Sequence, residues 1–232
     1  MKKILLILFF LFNIISNGQS SEKNYISDFE TYNGDNSVNV VVEIAAGSSK
    51  KKKVSTDGFS IIQEYKSGSE RVVKYLPYPF NYGFLPKTLE SFESGGDGDA
   101  LDVILIGRSV EEGIVVKSKV IGIIYMIDKN EIDNKILATT LDTTFEEVNS
   151  INDLRKNFPG IIEIIQLWLE NYKGGFIEIT NIQGRKNANN YILNSKNSYK
   201  KKIDWMETRL EKKWKLDKKY LYNLINILKF SK

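Results

Sequence analysis

The segment Gly95-Gly96-Asp97-Gly98-Asp99-Ala100-Leu101-Asp102-Val103-Ile104-Leu105-Ile106-Gly107 joins a glycine-rich acidic turn directly to an apolar run. The run Val103–Ile106 has the unbroken, β-branched character of a buried strand. A buried strand must have neighbours, so the rest of the chain has to build a sheet around this segment. The turn before it carries Asp97, Asp99 and Asp102. Ionised carboxylates this close repel one another, and they coexist through hard cations, shared protons or full solvation. For an isolated turn solvation suffices. Residues elsewhere in the chain decide between these outcomes.

The alphabet of the chain narrows the chemistry. Cysteine and histidine are both absent from its 232 residues. That excludes disulfides, thiol chemistry, zinc held by imidazole, and hydrolases built on a Ser-His or Cys-His pair. What remains is carboxylates, Lys, Arg, Tyr, hydroxyls and oxygen-bound metals such as magnesium. With 42% hydrophobic and 27% charged residues, the chain can bury one good core, and one domain is expected.

Lys2 and Lys3 precede an apolar run, Ile4 to Ile15, followed by polar and small residues up to Ser21. This is the layout of a secretory signal peptide over residues 1–20, and the run is too short to span a bilayer. The expectation is an exported mature chain, periplasmic or secreted, with no membrane attachment after cleavage. The 33 basic and 29 acidic residues are nearly balanced, and losing Lys2 and Lys3 narrows the gap further. Such a balance argues against a nucleic-acid partner.

Short strands dominate the first two thirds of the mature chain. Asn39–Ile44 is β-branched, and Lys50 to Lys53 form a charged run whose ordinary meaning is a solvated edge. Ser60–Tyr65 is a further strand. Residues 71–86 hold three of the four prolines and many aromatic residues, which predicts extended, irregular chain. Between 113 and 126 short apolar strands broken by Lys and Gly are expected, and 136–139 forms another. From Ser150 the pattern turns helical. Asn152-Asp153 is positioned to cap a short turn, Pro159-Gly160 opens a helix over 161–172, and 203–230 is a second helical tract with an apolar stripe. The expected fold is α+β: a small OB-like five-stranded β-barrel carrying two or more helices, with a C-terminal helical extension. The domain expected over 21–232 divides into a core of about 38–195 and a basic helical extension, 196–232.

The acidic turn fails as an EF-hand. Counted from Asp97, position twelve is Arg108 rather than a bidentate Glu, and a strand follows instead of a helix. A second acidic cluster, Asp128 to Lys135, lies between two strands, and a small barrel could bring both clusters to one mouth. Here the residues resemble a family. Gly96–Val103 resembles the DGDPxDV signature of the soluble inorganic pyrophosphatases, with Ala100 where proline is usual. Tyr78–Gly83 resembles the family's Y-P-x-N-Y-G motif, and Asp128, Asp133 and Lys135 reproduce its D-x4-D-x-K spacing. Tyr172-Lys173 is similar to its late Tyr-Lys pair, Glu43 to the acid of its first strand, and Arg71 to its phosphate-binding arginine. The motifs occur in order over residues 38–195.

The resemblance implies hydrolysis of pyrophosphate to two phosphates by a water activated by several magnesium ions. Asp97, Asp102 and Asp133 are the implied ligands around the nucleophile, with Asp128 and Glu43 serving further ions. Asp99 matches the aspartate that accepts the water's proton. Arg71, Tyr82, Lys135, Tyr172 and Lys173 match substrate ligands, and Lys52 matches another by counting from Glu43. A one-residue gap would move that role to Lys51. The family's acid two residues past this lysine is missing, since Lys53 or Val54 stands there, and Ala100 gives up proline's restraint on the turn. Family members form dimers or hexamers, so a homo-oligomer is implied. Two other readings use the same residues: a catalytically silent secreted module that binds metal or polyanions, and a phosphohydrolase for larger phosphoanhydrides.

Overall fold

The computed structural model describes residues 23–214. The expected signal peptide and the far end of the second helical tract lie outside the described residues.

Five strands close on themselves. β1 (Val38–Ile44) pairs with β6 (Asn81–Phe84), β6 with β7 (Asp102–Ile106), β7 with β10 (Lys135–Thr140), β10 with β8 (Val115–Asp128), and β8 returns to β1. The β7–β10 pairing is parallel and the other four are antiparallel. Closure removes the sheet edges that would otherwise need protection. β2 (Lys52–Val54), β3 (Ile61–Gln63), β4 (Tyr65–Lys66) and β5 (Ser69–Glu70) form two small hairpins beside this ring, and β9 (Glu131–Ile132) pairs with β8. The expected five-stranded barrel with OB-like character is therefore present.

Successive residues of the ring strands enter different cores, as the two-residue period of a strand requires. Ile104, Ile106, Ile121 and Leu137 join Trp168, Leu154 and Ile162 in one cluster. Val103, Leu105, Val120, Ile136 and Ala138 join Ala188 and Ile192 in another. Both faces are covered, which is why Val103–Ile106 reads as continuous apolar sequence. Gly83 lets β1 and β6 approach closely: a Cβ there would lie 1.8 Å from the Val41 carbonyl oxygen.

Three α-helices follow among the described residues. α1 (Ile151–Asn157) is capped by Ser150, whose Oγ accepts from the Asp153 N–H, rather than by Asn152-Asp153. The Asp153 carboxylate instead accepts from the Asn149 N–H. α2 (Ile161–Asn171) begins after Gly160 as expected and buries Ile162, Ile165, Trp168 and Leu169. Trp168 Nε1 donates to the Leu76 carbonyl at 2.9 Å, tying the helix to the proline-rich segment. Three elements depart from expectation. Residues 113–126 are not several short strands, because β8 runs unbroken for 14 residues. Its Gly122 allows close packing, since a Cβ there would meet Ile151 Cδ1 at 2.3 Å. Between α2 and the last helix lies an additional strand, β11 (Ile177–Gly184), on the open edge of β8, and α3 (Arg185–Trp214) starts well before residue 203. Among the described residues no helix is long and apolar enough to cross a membrane.

Candidate active site

One cleft of about 960 Å³ opens at the mouth of the barrel. The acidic turn supplies one bank. Gly98 takes φ +86°, and a Cβ there would run into the Phe92 ring, so the turn needs glycine at this point. The Asp97 carboxylate accepts from the Asp99 N–H at 2.9 Å, folding the turn back on itself. The Glu90 N–H donates to the Asp99 carbonyl, and the Gly98 N–H to the Glu90 carbonyl, both at 2.8 Å. Asp97 is pushed up to about 6 by burial and by the charges of Asp99 and Asp102, against the lowering effect of the Asp99 N–H.

Glu43 enters from β1 at a bulge, where Val42 opposes Gly83 but Ile44 opposes Tyr82. The extra residue turns the Glu43 side chain into the cleft wall. Its Oε1 accepts from the Val54 N–H at 2.6 Å, and burial, with the Asp102 charge added, raises its carboxyl to about 8.

Lys135 forms the floor. It is the first residue of β10 and is 1% exposed. Its ammonium donates to Asp102 at 2.5 Å and to Asp133, while the Tyr82 hydroxyl also donates to Asp102 at 2.5 Å. Burial alone would lower the Lys135 pKa, but the charges of Asp102 and Asp133 carry it well above the ordinary lysine value. Burial alone would likewise raise Asp133, and Lys135 brings it below the ordinary carboxylate range. Lys135 therefore engages carboxylates beneath the cleft and is not among the residues that line it, whereas Tyr82 lines the cleft and donates to Asp102 from its wall.

The opposite bank is cationic. The Glu64 N–H bonds to the Lys51 carbonyl and the Arg71 N–H to the Glu64 carbonyl, so three consecutive chain segments bring Lys51, Glu64 and Arg71 side by side. The Gln63 amide draws them together, donating to the carbonyls of Lys51, Glu64 and Arg71 at 3.0–3.1 Å. Glu64 lies between the two cations: 2.6 Å from Arg71 Nη1 and 3.8 Å from Lys51 Nζ. Burial lowers the Lys51 pKa, and the charges of Arg71 and Lys173 lower it further. Lys52 borders the cleft too, but its ammonium is held by Glu112 at 2.7 Å. Lys51, Lys52 and Lys53 all border the cleft, and Lys51 is the one that stands beside Glu64.

Asp128, at the end of β8, receives Lys173 from the turn after α2. The Tyr172 ring stacks on Trp168 with centroids 4.2 Å apart, holding that turn in place. Burial raises the Tyr172 hydroxyl, so it remains a donor at neutral pH. Of the residues singled out from sequence, Glu43, Asp97, Asp99, Asp102, Asp128, Asp133, Tyr82, Tyr172 and Lys173 all line the cleft, with Arg71 joined through Glu64. Sequence reasoning missed Glu64, the buried Glu90, and three residues of α3 that also line the cleft: Lys202, Trp205 and Met206.

The donor set is all oxygen, which suits a hard divalent cation. Among the described residues no three carboxylates converge into a ready-made cage. Magnesium keeps several waters and needs only one or two carboxylates, so separated carboxylates do not disqualify the site. Asp128 Oδ1 is buried without a hydrogen-bond partner, an acceptor suited to a cation. The residues fit such an ion.

A closed barrel with a carboxylate bank facing a cationic bank defines a class of protein suited to multiply charged anions bound with metal ions. The family model described as inorganic pyrophosphatase matches residues 40–200, and the chain belongs to that family. It is 37% identical over 154 residues to the soluble inorganic pyrophosphatase 6, chloroplastic, of Arabidopsis thaliana, covering 60% of this chain and 50% of that one. It is 33% identical over 172 residues to the inorganic pyrophosphatase of Aquifex pyrophilus, covering 70% of this chain and 89% of that one. The chain thus spans about half the length of the first curated relatives and most of the Aquifex one. The type I inorganic pyrophosphatase of Toxoplasma gondii superposes with a TM-score of 0.73 at 27% identity, covering 77% of this chain and 88% of that one. An N-terminally truncated vacuolar soluble pyrophosphatase of Trypanosoma cruzi, solved in complex with PPi, gives 0.71 at 28%, covering 76% and 78%.

Proposed function

We propose that this chain hydrolyses inorganic pyrophosphate to two phosphates with divalent metal, magnesium being the ion its oxygen ligands suit. The observation that carries the reading is the placement of Asp97, Asp99 and Asp102 in one cleft with Lys51, Tyr172 and Lys173. Asp97, Asp102, Asp128, Asp133 and Glu43 would hold the ions. When bound, these neutralise the anion and make water acidic enough to attack at neutral pH. Asp99 lies on the exposed limb of the turn, where its carboxylate can accept the proton of the attacking water. Lys51, Lys173 and Arg71 orient phosphate oxygens through charge-assisted hydrogen bonds, Arg71 with a planar fork and the lysines as compact charges. Tyr172 adds a neutral donor. Lys135 acts from beneath, fixing Asp102 and Asp133, and Tyr82 fixes Asp102 from the cleft wall.

The test is phosphate release from pyrophosphate by the mature chain with magnesium. Turnover is expected, and Asp99→Asn should lose most of it while keeping the parent's unfolding transition. Near-parental turnover of that variant would remove Asp99 from the role of base. A panel with tripolyphosphate and a nucleoside triphosphate separates pyrophosphate from larger phosphoanhydrides, and metal binding without turnover on any of them would leave a silent binding module. We further propose that the chain is exported, a reading supported by Lys2, Lys3 and the apolar run after them. N-terminal sequencing of the protein from fractionated cells checks it, and an intact Met1 would refute it. A homo-oligomer is the family-based expectation, and its mass in solution decides it.

A further inference from the structure

α3 does more than pack against the barrel. Ala188 and Ile192 are fully buried in one core cluster, and Tyr199 packs on Ile26, Val41 and Phe84 in another, the cluster that also receives Ala100 of the acidic turn. The Leu89 N–H donates to Ser195 Oγ at 3.0 Å, and the Tyr191 hydroxyl donates to the Glu90 carboxylate at 2.8 Å. Glu90 is the residue whose backbone pairs with Asp99 and Gly98. The helix is thus clamped to the base of the acidic turn. Residues 188, 192, 195, 199, 202 and 206 recur at helical spacing on one face. That face runs off the barrel and over the cleft, bringing Lys202 and Met206 to its lining, with Trp205 beside them. Lys202 is half-buried there and interacts electrostatically with Asp99.

We propose that α3 is a working wall of the active site and that Lys202 is a counter-cation on the Asp99 side of the acidic turn, as Lys135 is at Asp102, setting how tightly the turn binds divalent metal. Lys202 occupies no ligand position. Its positive charge offsets part of the repulsion among Asp97, Asp99 and Asp102 in the metal-free protein and opposes the arrival of a second cation. Removing the charge therefore tightens metal binding, and reversing it tightens binding further. The helix carries Lys202 into place through the contacts at Ser195 and Tyr191, so the device belongs to the extension rather than to the barrel.

The proposal rests on the reading that the turn binds divalent metal, and its test needs no turnover. Magnesium and manganese are titrated calorimetrically into the substrate-free mature chain and its variants at moderate salt. Lys202→Gln should tighten binding roughly three- to tenfold, and Lys202→Glu should exceed it, with the difference shrinking as salt rises. Lys202→Arg, which keeps the charge, should bind as the parent does. Lys201→Gln removes an equal charge from the exposed side of the same helix and should leave binding within about twofold. Equal affinity in the parent and Lys202→Gln, or an equal shift with Lys201→Gln, overturns the counter-cation assignment and leaves the metal site standing. No metal binding by the parent overturns both.

Discussion

Lys135→Met is the sharpest probe of how this cleft is held together. The substitution keeps the length and apolar stem of the side chain and deletes only the ammonium. In the parent the Lys135 side chain is 2% exposed and its ammonium touches the carboxylates of Asp102 and Asp133. Each contact at an effective dielectric of about 20 contributes roughly 4 kcal/mol of attraction, most of it cancelled by the cost of drying the three groups. Removing one member strands the others without recovering that cost. Asp102 keeps the Tyr82 hydroxyl and is 24% exposed, so the burden falls mainly on Asp133, which is 17% exposed. Asp133 then keeps only the charges of Lys173 and Lys51, which are not in ion-pair contact with it, so the loss falls at the lower end of the roughly 3–5 kcal/mol that breaking a buried pair costs. For a chain of this size that lowers Tm by about 10 °C, at roughly 2–4 °C per kcal/mol. Urea unfolding of the metal-free protein at neutral pH measures it. Lowering the pH into the carboxylate range should narrow the gap between parent and variant, because protonation removes the stranded charges. A loss under about 1 kcal/mol would refute the argument, since it would mean the two carboxylates find solvent without the lysine.

Two further outcomes follow from the same geometry. Glu43 titrates at about 8 in the fold against an ordinary 4.5, so the folded state binds its proton more tightly. The stability linked to it is fully present below pH 4.5 and is lost as pH rises through 8, so metal-free Glu43→Gln should be more stable than the parent at pH 9 by a few kcal/mol, and a pH-independent difference would refute this. Glu64→Gln removes the charge between Arg71 and Lys51 while keeping a side chain of the same shape. It should raise KM for pyrophosphate several-fold with less change in kcat, and unchanged steady-state kinetics would show that the two cations hold their places without it.

Much of the barrel was readable because its constraints are local. Val103–Ile106, Asn39–Ile44 and 136–139 announce buried strands by composition, and Pro159-Gly160 announces the start of α2. β8 was harder. Lys117, Lys119 and Gly122 look like interruptions, yet two of them have uses that only the assembled sheet reveals. Lys119 reaches the Glu146 carbonyl, and Gly122 makes room for Ile151. β11 carries Asn181, Gln183 and little apolar alternation, because it covers one edge of β8 and stays half-exposed. The early start of α3 was hidden by its low apolar content: Arg185 to Ser198 present only Ala188, Tyr191, Ile192 and Leu193 as nonpolar positions.

The site divides in the same way. Its carboxylates were legible because they cluster in short acidic turns, but their partners are fixed by pairing across strands. Counted from Lys51, the acid of the family pattern would fall two residues further along the strand. Lys53 occupies that strand position here, and the adjacent segment places a carboxylate against the same lysine instead. Ala100 fits the same pattern. Where proline would stiffen the turn from within, this chain fixes it from outside, through the Glu90 backbone and through α3, which grips Leu89 and Glu90. Both departures from the family motif thus coincide with support from a segment that the motif does not include. A reading confined to the motif would predict a loosened turn and an unsupported lysine; the packed structure predicts neither.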